Sequence, residues 1–111
     1  KPVECQKIGT WYSEMHLYLL QAMERVDMGG HTLLDESVVL FGSELQDPPS
    51  HKTNNTPFML AGGGGLRTGR WLRYNAVSHN NLLLAILNLF GDERRTFGDP
   101  AYCTGPLTNL T

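Results

Sequence analysis

Two short apolar runs set the size of any sheet this chain can build. "SVVLFG", residues 37–42, is rich in β-branched and aromatic side chains, and "PFMLAG" opens at Pro57. Runs of this length bounded by turn residues read as strands, and an uninterrupted apolar run predicts burial on both faces. Pro57 stands where a strand tolerates proline, at its first residue. Between the runs, residues 46–56 are polar and contain Pro48-Pro49, so they form a loop. The second run stops at four glycines, Gly62 to Gly65, which with "LRTG" make a turn region. "RWLRY", residues 70–74, is a candidate short edge strand.

Helices flank this pair. "TWYSEMHLYLLQAMERVDM", residues 10–28, carries Trp11, Met15, Tyr18, Leu19, Ala22 and Val26 at spacings of three and four. That period predicts an amphipathic helix with these residues toward the core, Thr10 as its N-cap and Gly29-Gly30 as its stop. His16 lies beside this face and reads as a partly buried packing histidine. Ser78 is the expected N-cap of a second helix, "HNNLLLAILNLF", residues 79–90. Its apolar residues cover most of the circumference, so it should be well buried, and Gly91 ends it. The tail, "TFGDPAYCTGPLTNLT", reads as irregular. The order helix, strand, loop, strand, turn, helix, tail is an α/β pattern with few strands for a complete doubly wound sheet.

Composition excludes several classes. The chain has 111 residues, 41% of them apolar and 18% charged, as in a soluble globular domain. A single domain of this size buries roughly 65% of its unfolded surface. A net charge of -2 gives no electrostatic case for nucleic acid or an anionic membrane. No apolar run approaches the roughly 20 residues of a membrane span. No secretory leader is recognisable, and the sequence opens at Lys1 on what reads as mid-domain sequence, the expectation being a processed product or a piece of a longer chain. Cys5 and Cys103 lack C-x-x-C spacing, which argues against zinc and leaves two readings, a terminal disulfide or two buried thiols. The N-glycosylation patterns at Asn54 and Asn109 are short enough to arise by chance.

Three groups of side chains are candidates for chemistry. Gly64 and Gly69-Arg70 imitate a phosphate loop, but Arg70 replaces its lysine, Trp71 its hydroxyl residue, and no helix follows at once. Arg67, Arg70 and Arg73 form the one local basic cluster and could take an anion. Glu44, Asp47 and His51 follow the first strand, at the sheet edge where α/β sites are built, and could hold a divalent metal. Zinc needs at least three protein ligands, and His79 is the other nearby candidate. Ser43 and Ser50 lie in this region, but no arrangement marks a catalytic nucleophile.

The phrases "TLLDESVVLFGSEL", "PFMLAGG", "LRTGR", "SHNNLLLAILNLFG" and "FGDPAYCTGPL" together resemble the C-terminal part of an uncharacterised exported bacterial family, domain of unknown function fifteen-fifty-two. The resemblance runs from about Trp11 to Thr111. It implies that the chain is the C-terminal piece of a larger protein with a periplasmic or extracellular home. That family is distantly similar to the alkaline phosphatase and sulfatase superfamily. The implied fold is therefore a segment of a three-layer α/β sheet, and the implied cofactor is a divalent metal, zinc, manganese or calcium.

"HKTNNTPF" is similar to the stretch of that superfamily in which a metal histidine precedes a strand, so His51 is the carried-over ligand. Glu44 falls near the metal aspartate. Leu45 falls where a paired histidine would be and cannot bind metal, and Thr53 replaces a second histidine of many relatives. The superfamily's nucleophile and remaining metal aspartate belong to an N-terminal half that is not in this sequence. The expectation is a chain without catalysis of its own, which covers open sheet edges by pairing with another copy or with the missing part of its parent. The alternatives are a metal-dependent phosphoric or sulfuric ester hydrolase completed by a partner, and an anion-binding module on the arginine rim.

Overall fold

A computed structural model describes residues 2–111 and shows a mixed α/β chain. The elements are helix α1 (Pro2–Glu24), strand β1 (Val38–Gly42), strand β2 (Phe58–Gly62) and helix α2 (His79–Leu89), with 3-10 turns at Pro48–Ser50 and Pro100–Tyr102. The chain divides into two compact units, Lys1–Gly63 and Gly64–Thr111. The boundary falls inside the glycine run.

In the first unit, β1 and β2 pair antiparallel, with Val38 opposite Gly62, Leu40 opposite Leu60 and Gly42 opposite Phe58. Both strands start one residue later than the apolar runs suggest. Neither is buried on both faces as expected. Their residues are half-buried or exposed, because among the described residues no further strand joins the pair. The edge strand expected at residues 70–74 does not form. That segment is irregular, and Trp71 is 88% exposed.

Helix α1 differs from its expected form at both ends and in its orientation. It begins at Pro2 and passes through Thr10, so Thr10 is not a cap. Proline at a first helical position costs nothing, since that N–H has no intrahelical partner. At the other end α1 stops at Glu24, where Arg25 N–H and Val26 N–H turn back to the carbonyls of Ala22 and Met23. The chain then closes a tight loop. Asp27 accepts from the N–H groups of Gly29 and Gly30, at 2.9 and 3.0 Å. Met28 N–H reaches His31 O, and Leu33 N–H reaches Val26 O. These bonds favour the ionised carboxylate and hold Asp27 below the usual carboxylate range, Gly30 N–H contributing most.

The helix also presents the unexpected face. His16, Leu20 and Met23, at spacings of four and three, are its covered positions, and His16 is 8% exposed. The His16 ring stacks on Phe41 of β1, centroids 4.6 Å apart. Trp11, Met15, Tyr18, Leu19 and Val26, expected in the core, are exposed. At about 100° per residue, the Trp11–Met15–Tyr18 stripe lies more than a quarter-turn around the helix from His16. Helical spacing identifies an apolar stripe without saying which of two such stripes meets the sheet.

Close backbone packing explains the start of the glycine run. Gly63 N–H donates to both Leu34 O and Ser37 O at 3.0 Å. A Cβ on Gly63 would lie 1.9 Å from Asp35 O, and one on Gly62 2.0 Å from Ser37 O. Gly62 also has a φ of 119°, which side-chain-bearing residues rarely adopt. The chain therefore leaves β2 directly against the turn that leads into β1. That turn is itself tied by Asp35, which accepts from Thr32 N–H and Thr32 Oγ1.

The second unit is organised by α2. As expected, Ser78 caps it, its Oγ accepting from Asn80 N–H at 3.2 Å, and Gly91 follows its end with a φ of 82°. Leu82, Leu84 and Ala85 are buried, Leu84 completely. Burying one such leucine contributes about 2 kcal/mol. Asn81, also buried, clamps the tail: Nδ2 donates to Thr104 Oγ1 at 2.8 Å, Oδ1 accepts from Thr104 N–H at 3.2 Å, and its carbonyl accepts from Leu107 N–H. At the other end of α2, Asn88 Nδ2 donates to the carbonyls of Asp92 and Arg94. The tail is irregular, as expected, but each of these bonds fixes its course. Both cysteines are free thiols. Cys5 is exposed on α1, and Cys103 is buried, its sulfur accepting from Phe97 N–H at 3.4 Å.

Opposite outcomes are expected at two glycines. Gly63→Ala should destabilise the chain by about 2–3 kcal/mol through overpacking against Asp35. An added Cβ at helical Gly9 meets nothing within 4 Å, so Gly9→Ala should stabilise it by about 1 kcal/mol. Urea unfolding of the two variants measures both. In the second unit, Asn81→Ala should cost about 1–2 kcal/mol and raise amide exchange at Thr104, by removing one side of a buried hydrogen-bonded pair.

Candidate functional site

The connection from β1 to β2 carries the candidate ligands. It leaves β1 at Ser43, whose Oγ bonds across to Leu45, donating to its carbonyl and accepting from its N–H, both at 3.1 Å. This small turn places Glu44 at its tip, exposed. Leu45 is half-buried. Gln46 N–H then donates to Lys52 O at 2.7 Å, and Asp47 and Lys52 form an isolated antiparallel bridge. Residues 46–52 thus close on themselves around the Pro48–Ser50 turn.

His51 sits at the closure with a φ of 52°, in the left-handed region. Such a conformation in a residue other than glycine costs of order 1 kcal/mol. Its side chain is exposed. Asp47 turns the other way, its Oδ2 accepting from Ser50 Oγ, so that its carboxylate is engaged within the turn. The same bond directs the Ser50 hydroxyl onto a carboxylate inside its own loop.

Glu44 and His51 therefore belong to one connection, as the sequence places them, but no third ligand joins them there. Among the described residues, no three His, Cys, Asp or Glu side chains gather in a group able to hold a metal ion. A zinc centre needs at least three protein ligands. Leu45 cannot supply one, and His79 is the first residue of α2 in the second unit. Glu44 and His51 alone do not make a metal centre, and a metal held by them would need ligands from outside this loop.

The arginine cluster has a structural use that the sequence does not show. Arg67 N–H donates to Leu110 O. The Arg70 guanidinium gives its Nε–H to Arg67 O at 2.8 Å and its Nη2 to Asn109 O at 2.7 Å and Leu110 O at 3.4 Å. Tyr74 Oη donates to Thr108 O. Residues 67–74 are thereby stitched to residues 108–110, and Arg70 acts as a strap rather than a free anion ligand. Arg67 and Arg73 remain exposed. The phosphate-loop imitation fails on geometry, since residues 66–77 are irregular and α2 starts only at His79. An anion there would meet no helix N-terminus at the glycines.

Sequence reasoning missed the polar clamps on α2. A signal was present: Asn81 and Asn88 interrupt an otherwise apolar helix, and a buried amide requires a partner. The His16–Phe41 stack had no sequence signal, since the two residues belong to elements far apart in the chain.

The strained turn gives a direct test. If His51 serves only the turn, His51→Gly should raise stability by about 1 kcal/mol, because glycine adopts a positive φ without penalty. Thermal unfolding at equal ionic strength, with and without added zinc, measures this. A zinc-dependent stabilisation lost in the variant would instead mark His51 as a ligand.

Compared with protein-family models, curated proteins and solved structures, the chain matches none of them.

Proposed function

We propose that this chain is the C-terminal segment of a larger α/β domain of the alkaline-phosphatase type, carried by an exported protein, and that it has no hydrolytic activity of its own. One observation supports incompleteness above all. In the first unit His16 is the only described residue that is buried, while Ile8, Trp11, Tyr12, Met15, Tyr18, Leu19, Leu40 and Met59 are exposed. A complete domain covers such side chains with further layers. The open edges of a two-stranded sheet point the same way, because isolated strand pairs are marginal in water. The resemblance carried by residues 32–45, 57–63 and 97–107 supports the family and, through it, the exported location. No described helix is long and apolar enough to cross a membrane.

Hydrolysis of a phosphoric or sulfuric ester requires a placed nucleophile and cations that neutralise developing charge. The chain offers two exposed candidate ligands, Glu44 and His51; the Ser43 hydroxyl donates to a backbone carbonyl, and the Ser50 hydroxyl is held on the Asp47 carboxylate within its own turn. A second reading, a metal-dependent ester hydrolase completed by a partner or by the missing half, is favoured by one observation. Glu44 and His51 both remain solvent-accessible in the connection that leaves the C-terminal end of β1.

Assay of the purified chain with p-nitrophenyl phosphate and p-nitrophenyl sulfate separates the two. With zinc, manganese or calcium added, turnover should not exceed that of the metal alone. Turnover that His51→Ala abolishes would overturn the non-catalytic reading and establish the second.

A further inference from the structure

The outward stripe of α1 is an unexplained apolar surface of the first unit. The helix is apolar on two sides. One side, through His16, Leu20 and Met23, is spent on its own unit. The other runs through Ile8, Trp11, Met15, Tyr18 and Leu19, with Tyr12 at its margin, and faces solvent. Trp11 is 53% and Tyr18 68% exposed, and the Trp11 and Tyr12 rings meet edge to face 5.1 Å apart. An aromatic stripe of this kind on a monomer marks an interaction surface.

We propose that this stripe is an interface between two copies of the chain, with α1 packed antiparallel against α1 about a two-fold axis at Met15. The inference rests on the reading of the chain as an uncovered segment, and it names what covers that segment when the chain stands alone. Area is the first argument. Taking ~200 Å² for each of these side chains, the uncovered part of the stripe and Tyr12 comes to roughly 600 Å². That approaches the ~800 Å² per partner of a standard stable interface, and the flanks of α1 supply more.

Symmetry is the second argument. A two-fold interface must be self-complementary, so that each residue meets its mirror position. With Met15 on the axis, Trp11 of one copy stands at the level of Leu19 of the other, Ile8 at the level of Ala22, and Tyr18 at the level of Tyr12. A parallel pair in register would instead set Trp11 against Trp11 and Tyr18 against Tyr18.

Light scattering during size-exclusion chromatography tests the proposal on the whole chain. The expected mass is twice the 12.4 kDa of one chain, falling to one chain mass on dilution. Tyr18→Lys should be monomeric at concentrations where the parent is a dimer, with unchanged far-ultraviolet circular dichroism, since Tyr18 makes no buried contact in the monomer. In a Cys5→Ser background, Met15→Cys should form an intermolecular disulfide under mild oxidation, whereas Ile8→Cys should not. A chain that stays monomeric at all concentrations overturns the proposal. So does a dimer that survives Tyr18→Lys and gives no Met15→Cys cross-link, because its contact then lies elsewhere. Neither result bears on ester hydrolysis, so failure here and failure of the non-catalytic reading remain distinguishable.

Discussion

The first unit depends on a place where two stretches of backbone come too close for any side chain. At the end of β2, Gly62 and Gly63 lie against residues 34–37, and Gly63 N–H bonds to two carbonyls of that turn. This contact joins the exit of β2 to the entry of β1 and aligns the strand pair from Val38 opposite Gly62 onward. The register then sets where the connection begins and ends, and so where Glu44 and His51 stand. The two later glycines answer a different need. Gly64 and Gly65 have φ values of 64° and 86° and turn the chain into the second unit. One run of four identical residues thus combines a close approach with a reversal.

The second unit is held by another kind of interaction. Its helix is apolar enough to bury Leu84 completely, yet the course of the tail is set by amides rather than by hydrocarbon. Asn81 and Asn88 act near opposite ends of α2, and Arg70 and Tyr74 tie residues 108–110 back to the segment before the helix. Apolar burial is nondirectional. Hydrogen bonds with fixed geometry give a tail without regular structure a defined path.

Legibility in the sequence followed the range of the interactions. Both strands, the cap at Ser78, the end of α2 at Gly91 and the loop around Pro48-Pro49 were readable, because each depends on neighbours within a few residues. The start of α1 was not, since Thr10 is a good cap that a longer helix simply passes through. The choice between two apolar stripes on α1 was not either. It depends on Phe41, which lies 25 positions from His16 and stacks on it. Arg70 read as a possible anion ligand because its partners, the carbonyls of Asn109 and Leu110, come from the far end of the chain. Of the candidate metal residues, the sequence placed Glu44 and His51 in one connection correctly. It could not show that Asp47 is occupied by Ser50 within that connection.

The buried position of His16 bears on how the chain comes apart. Among the described residues of the first unit the one buried side chain is an imidazole, and its Nε2 has no hydrogen-bond partner there. A hydrocarbon in that place would bind the helix to the sheet through transfer free energy; an unsatisfied ring nitrogen subtracts from it. His16 makes its contact with the strands through the stack on Phe41 instead. The two units should differ accordingly in local opening, with α2 and its clamped tail at the protected end and α1 at the labile end. A helix that detaches easily from its own sheet is also one that can be traded for a better-fitting neighbour.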